Sequence, residues 1–161
     1  MDRIWAPWRI DYVSQKKQKG CIFCRIKKSS KDKVHLIVLR SAHCYVVLNT
    51  FPYNNGHLMV VSNRHIAFLD NLSDSEILDM NKTLIKVKNI LKKVLSPSGF
   101  NVGINLGKVS GAGVDKHLHI HIVPRWLGDT NFMPVTANTK IVSQSLEALY
   151  IQIKKCLQEK I

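Results

Sequence analysis

His117, His119 and His121 alternate with Leu118, Ile120 and Ile122 in one short stretch. Imidazoles titrate near neutrality, ligate metals and act as nucleophiles, so such a row points to metal or phosphate chemistry. Period two is the strand period, and successive side chains then point to opposite faces. The spacing predicts a strand over 115–123, with Leu118, Ile120 and Ile122 toward a core. The three imidazoles would share the other face, about 7 Å between neighbours, open to solvent beside backbone donors. Pro124 lacks an N–H and is expected to stop the ladder. The plainer readings are a solvated edge strand or a His-rich metal tract. Solvated faces more often carry Lys, Thr or Glu, and strict alternation with core-like residues favours a built site.

Cys21-Ile22-Phe23-Cys24 is the other chemical signal. A Cys-x2-Cys turn places two thiolates to grip one zinc ion. It supplies half the usual ligand set, and His43, His65 and His117 are available to complete it. A redox pair is disfavoured because no βαβ unit surrounds the motif. Without metal the two cysteines would be plain buried thiols. A closed four-ligand site would be structural, tied to folding rather than to catalysis.

Gly107-Lys108-Val109-Ser110-Gly111-Ala112-Gly113 leads directly into the histidine strand. Backbone amides of such a loop can approach phosphate oxygens closely. Glycine loops are common, so the signal gains its weight from the histidines beside it.

The elements that must position these groups are legible by pattern. Val34 to Leu39, Cys44 to Leu48, His57 to Val61 and Phe100 to Leu106 read as strands. Residues 51–56 form a loop rich in turn residues. Ser73-Asp74-Ser75-Glu76 fits a capping box. Ile77, Met80, Leu84, Val87, Leu91 and Val94 then mark one helix of about six turns, ended by residues 96–99. Residues 140–158 read as a last helix with Val142, Leu146, Leu149, Ile153 and Leu157 as its stripe. Residues 27–33 read as a loop, and 127–139 as a long irregular segment. Trp5, Trp8 and Arg9 sit in an N-terminal arm, where the indoles either pack on the body of the fold or edge a ligand cleft.

These elements predict an α+β fold: an antiparallel sheet of about five strands with one long helix and a C-terminal helix. The 161 residues suit a single domain over 1–161, with an arm at 1–20 and a C-terminal extension over 127–161. No apolar run approaches the length of a membrane span. No signal-peptide core is present at the N-terminus. The expected setting is cytoplasmic, where a close cysteine pair suggests metal work over a disulfide. The net charge of +13 favours polyanionic partners. No helix-turn-helix, zinc-finger helix or RNA-binding signature accompanies it, so specific nucleic-acid recognition and membrane association are not expected.

His117-x-His119-x-His121 followed by two apolar residues resembles the histidine triad family of nucleotide hydrolases and transferases. Leu48 to Val61, with His65 beyond, resembles that family's upstream strand pair. Met1 to Arg9 and Pro124 to Val135 resemble the branch that includes diadenosine tetraphosphate phosphorylases. The resemblance implies a covalent nucleotidyl-histidine on His119, with His121 and His57 bonding the α-phosphate or orienting the nucleophile. It implies structural zinc on Cys21, Cys24, His65 and His117, no organic cofactor, and a homodimer whose sheets run together. Asn105, with the amides near Ala112 and Gly113, would position phosphates. Asn49 resembles the ribose contact, where an acidic residue is common. Ile22, Phe23 and Val47 would line the base pocket, or simply belong to the core. Many hydrolase members carry glutamine where this chain has Gly113, and that role passes to Ser110 or lapses. The phosphorylase-like branch also lacks it.

The expected activity is therefore cleavage of a dinucleoside polyphosphate, diadenosine tetraphosphate above all, with phosphate as acceptor. Hydrolysis of such a nucleotide or of a nucleoside phosphoramidate is the enzymatic alternative. A nucleotide-binding scaffold with vestigial activity is the alternative of another class.

Overall fold

A computed structural model describes residues 20–130, 136 and 142–159. The arm with Trp5, Trp8 and Arg9, and most of 131–141, lie outside the described residues. The chain gives α1 (Ile22–Lys28), β1 (Ile37–Arg40), β2 (Cys44–Leu48), β3 (Leu58–Ser62), α2 (Asp74–Leu95), β4 (Gly99–Ile104), β5 (His119–Arg125) and α3 (Leu146–Gln158). The five strands pair antiparallel in the order β1-β2-β3-β5-β4. The expected α+β architecture is observed.

Alternation sorts the sheet into two faces. Val46, Leu48, Leu58, Val60, Ile120 and Ile122 pack with Met80, Val87, Ile90 and Leu91 of α2 and with Leu149 and Ile153 of α3. Tyr45, Val47, Met59 and Val61 point the other way, under Phe23 and Ile26 of α1. His119 and His121 fall on this second face by the same parity. No helix among the described residues is long and apolar enough to cross a membrane.

α2 starts at the predicted capping box. Ser73 accepts from the Glu76 N–H while Glu76 bonds back to the Ser73 N–H. Its buried stripe is Glu76, Met80, Thr83, Val87, Ile90 and Leu91. Ile77, assigned to the stripe from sequence, is exposed, because one residue of rotation from Glu76 carries it to the stripe's edge.

Several boundaries differ from expectation. Cys21 and Cys24 do not form an isolated turn. Cys21 is the N-cap of α1 and Cys24 lies in its first turn, a helix too short to show a period. β1 begins at Ile37 because residues 32–36 form a turn in which Leu36 has φ 58°. α3 begins at Leu146 because Ser145 caps it by accepting from the Ala148 N–H. Val142 therefore lies outside its stripe.

Pro124 does not end β5, which runs on to Arg125. Arg125 O accepts from the Ser98 N–H on the β4 side, so the Pro124 nitrogen faces the β3 side. There β3 has already ended: its first pair is Leu58 with Ile122. No ladder partner goes wanting, and Asn54 Nδ2 donates to Pro124 O at 3.0 Å instead.

Candidate active site

β5 begins at His119, with His117 just before it, and β3 begins directly after His57. His121 pairs with Met59 across the ladder, so His57 is its diagonal neighbour on the same face. His57 Nε2 and His121 Nδ1 are 2.8 Å apart. The ring centroids of His119 and His121 are 4.8 Å apart. The three catalytic candidates are thus brought together.

The expected exposure of the row is corrected. His119 is 4% exposed, His121 9% and His57 0%. Phe23 from α1 lies against His119 with centroids 5.0 Å apart. Tyr53 covers His57 at 4.5 Å and His121 at 5.8 Å. Alternation selected the face, and helix α1 with the 51–56 loop, neither readable as a cover from sequence, closed it.

Burial disfavours the charged imidazolium. It holds His57 down to about 3, helped by His121 and His119. It holds His121 down to about 4, helped by His119. His119 is lowered by burial, against the opposing pull of its bond to the His117 carbonyl. All three rings are neutral at pH 7.

A neutral ring has one N–H, and a carbonyl can only accept. His119 Nδ1 is 2.7 Å from His117 O, so Nδ1 carries the proton and Nε2 the lone pair. His117 Nε2 is 2.9 Å from Ser62 O, so its lone pair is on Nδ1. That nitrogen lies 3.2 Å from Cys21 Sγ, 3.6 Å from Cys24 Sγ and 3.2 Å from His65 Nδ1. Cys24 Sγ and His65 Nδ1 are 3.3 Å apart. Cys21, Cys24, His65 and His117 offer donor atoms all within 4.8 Å of one another. Usual zinc–sulfur and zinc–nitrogen lengths give tetrahedron edges of roughly 3.3–3.8 Å, close to the spacing found. Two thiols and two imidazoles, one oriented by a carbonyl behind it, suit zinc. His43, left open as a ligand from sequence, is absent from the cluster.

The nucleotide-binding candidates are placed as follows. Phe23 and Val47 share the small core beneath the site, and Ile22 is exposed beside it. Asn49 follows β2, with Oδ1 accepting from the Phe51 N–H at 2.9 Å and Nδ2 3.3 Å from His57 Nδ1. Asn105 follows the last β4–β5 pair, Ile104 with Ile120, so continuing the register sets it opposite His119. Ser110 is exposed and donates to Gly107 O at 2.7 Å. Gly107 and Gly111 take φ of 79° and 83°, the conformation glycine permits. Ala112 and Gly113 lead from there toward His117. Sequence reasoning missed Tyr53 and Ser62. The signal for Tyr53 was an aromatic residue in the turn just before His57. Ser62 acts through its carbonyl, which leaves no trace in side-chain type.

An α+β protein with a neutral, carbonyl-anchored imidazole among other imidazoles has a candidate site for histidine-centred phosphorus chemistry. The chain belongs to the HIT domain family, whose signature matches residues 30–126. It is 38% identical over 155 residues to a Mycobacterium tuberculosis protein named AP-4-A phosphorylase, covering 91% of this chain and 79% of that one. The Plasmodium falciparum diadenosine triphosphate hydrolase, solved with Cyclomarin A, is 25% identical with a TM-score of 0.65, covering 78% of each chain. A zinc-bound histidine triad family protein from Mycobacterium smegmatis is 22% identical with a TM-score of 0.68, covering 86% of this chain and 93% of that one. The expected fold and family are thus both shown.

Proposed function

We propose that this enzyme cleaves dinucleoside polyphosphates, diadenosine tetraphosphate foremost, by passing a nucleotidyl group through His119 to inorganic phosphate. One observation carries the reading. The His119 Nδ1–H bond to His117 O at 2.7 Å leaves a neutral Nε2 lone pair as nucleophile. The similarity to a protein named AP-4-A phosphorylase supports the choice of substrate and acceptor, as does Gly113 in place of glutamine.

His119 Nε2 attacks the α-phosphorus. An N–P bond forms and the P–O bond to ATP breaks. The Nε2–H of His121 bonds the α-phosphate or the departing oxygen. A phosphate oxygen then attacks the same phosphorus, the N–P bond breaks and ADP leaves. Diadenosine tetraphosphate and phosphate thus give ATP and ADP, whereas water as acceptor gives AMP. Asn105 and the amides at Ala112 and Gly113 position phosphates, with Ser110 at the loop's turn. Asn49 meets the ribose, and Ile22, Phe23 and Val47 face the base.

Cys21, Cys24, His65 and His117 would hold zinc, which supplies a closed structural anchor between α1 and the start of β5. The remaining proposals are a cytoplasmic setting, suited to the free thiols, and a homodimer. The dimer is supported by β4 at the end of the sheet with Val102 exposed; sedimentation tests it.

The deciding experiment is product analysis of diadenosine tetraphosphate with and without phosphate. ATP plus ADP, formed only with phosphate, is expected. ATP plus AMP regardless of phosphate would assign a hydrolase, and faster cleavage of adenosine phosphoramidate a phosphoramidase. Tight AMP binding with turnover indifferent to His119→Ala would leave a scaffold.

A further inference from the structure

Residues 125–129 take no part in the proposed chemistry, yet they close into a compact turn behind it. Arg125 and Asp129 pair through Nε to Oδ2 at 2.5 Å and Nη2 to Oδ1 at 2.9 Å. The Trp126 N–H donates to Asp129 Oδ2 at 3.2 Å, and the Asp129 N–H donates to Trp126 O at 3.2 Å. Gly128, with φ 74°, permits the tight path. The Asp129 side chain is only 6% exposed, and a carboxylate so buried must be met by donors. Asp129 also lies beyond residues 30–126, which the HIT domain signature matches.

One donor comes from outside the turn. Asn54 Nδ2 reaches Asp129 Oδ2 at 2.8 Å and Pro124 O at 3.0 Å. Both partners accept, so the NH2 end of the amide faces them. Asn54 is itself buried, and its carbonyl accepts from the His57 main-chain N–H at 3.2 Å. Its neighbour Tyr53 points a main-chain N–H at His57 Nδ1 from 3.1 Å. Such a group can only donate, so His57 Nδ1 carries the lone pair. The His57 proton then lies on Nε2 and goes to His121 Nδ1 at 2.8 Å. His121 keeps its own proton on Nε2.

We propose that Asp129 and Asn54 form a latch that seats the 51–56 loop on His57, and that both are positioning residues for His121. They act through the Tyr53 N–H, and the turn after β5 is the anchor. The inference rests on the nucleotidyl-transfer reading for its kinetic part alone.

The test uses the full chain labelled with 15N. In the wild type the Tyr53 amide proton resonates downfield, as its bond to His57 requires. In Asn54→Ala and Asp129→Ala that resonance moves upfield, and kcat on diadenosine tetraphosphate falls about tenfold with KM little changed. The double variant is no slower than the slower single one, because either change opens the same latch. Leu149→Ala, in the core on the other face of the sheet, lowers the melting temperature but leaves the Tyr53 resonance and kcat in place. A merely structural role for Asn54 and Asp129 would give that pattern. Unmoved Tyr53 resonances, an unchanged kcat, a loss carried by KM or additive losses in the double variant overturn the proposal. Should Asp129→Ala fail to fold, Asn54→Ala decides. If the resonance moves as expected but the wild type cleaves no dinucleotide, the proposed function fails and the latch stands.

Discussion

His57 Nε2 sits 2.8 Å from His121 Nδ1, on the diagonal between β3 and β5. A single bond thus orients two rings from different strands. Nearby, His119 takes its orientation from the carbonyl of His117, two residues back and just ahead of β5. The proposed nucleophile and its partner are aligned by separate devices, and mutation can separate them.

His119→Ala removes the only proposed bond-forming nitrogen, and kcat is expected to fall more than about 10³-fold. His57→Gln leaves His119, the proposed nucleophile, untouched and loosens His121, for an expected loss of about 10–100-fold. Rapid acid-free quench with α-labelled substrate checks the order of events. Labelled chain should accumulate in the wild type and never in His119→Ala.

Stability should depend on pH through the same rings. His57 is held down to about 3 and His121 to about 4, mainly by burial, against about 6.5 when unfolded. Between those limits the unfolded chain binds protons that the folded chain refuses, so stability rises with pH. The contribution is complete above about pH 6.5 and is lost as pH falls toward the folded values. Each ring should add a slope of about 1.4 kcal/mol per pH unit inside its window. Urea midpoints at pH 7 and pH 5 check this, and His57→Gln should show the shallower fall.

Much of this site could be read before any coordinates. Strict alternation placed Ile120 and Ile122 in one core and His119 and His121 on the opposite face, because strand geometry leaves no other choice. Cys21 and Cys24 marked half of a cluster that could hold a metal ion, but alternation and spacing could not choose among His43, His65 and His117. That choice depends on where β3 ends relative to β5. The cover over the rings was illegible for a similar reason. Phe23 reaches His119 only because α1 crosses that face, and Tyr53 reaches His57 only through the turn before β3. Tautomers were out of reach altogether, since they are set by the carbonyls of His117 and Ser62 and by the Tyr53 N–H. Backbone groups are identical at every residue, so sequence does not mark them.

The four-ligand cluster should make folding depend on metal. Cys24→Ser is expected to abolish stoichiometric zinc, read by elemental analysis of the purified chain. It should lower the melting temperature by more than about 10 °C, since such sites contribute folding energy directly. A chain purified without zinc, whose melting is unmoved by chelator, would reduce Cys21 and Cys24 to plain thiols.

Gly56 should tolerate no side chain at all, for two reasons that compound. Its φ is 79°, which an L-residue adopts only under strain. A Cβ there would also lie 2.5 Å from Leu95 Cδ1 and 2.9 Å from Pro124 Cγ, the first at the end of α2 and the second inside β5. Leu95 Cδ1 is the end of a flexible side chain that can turn aside, whereas the Pro124 ring is fixed in β5 and would push the 51–56 loop away. That loop carries the Tyr53 N–H onto His57, the very next residue after Gly56. Gly56→Ala should therefore cost about 2–4 kcal/mol of stability and reduce kcat together with it. Gly113→Ala supplies the contrast: its Cβ would meet nothing within 4 Å and its φ is not positive. Chemical denaturation of the two variants in parallel checks the difference. Equal stability would mean that the turn before β3 can shift without disturbing the helix and strand it touches.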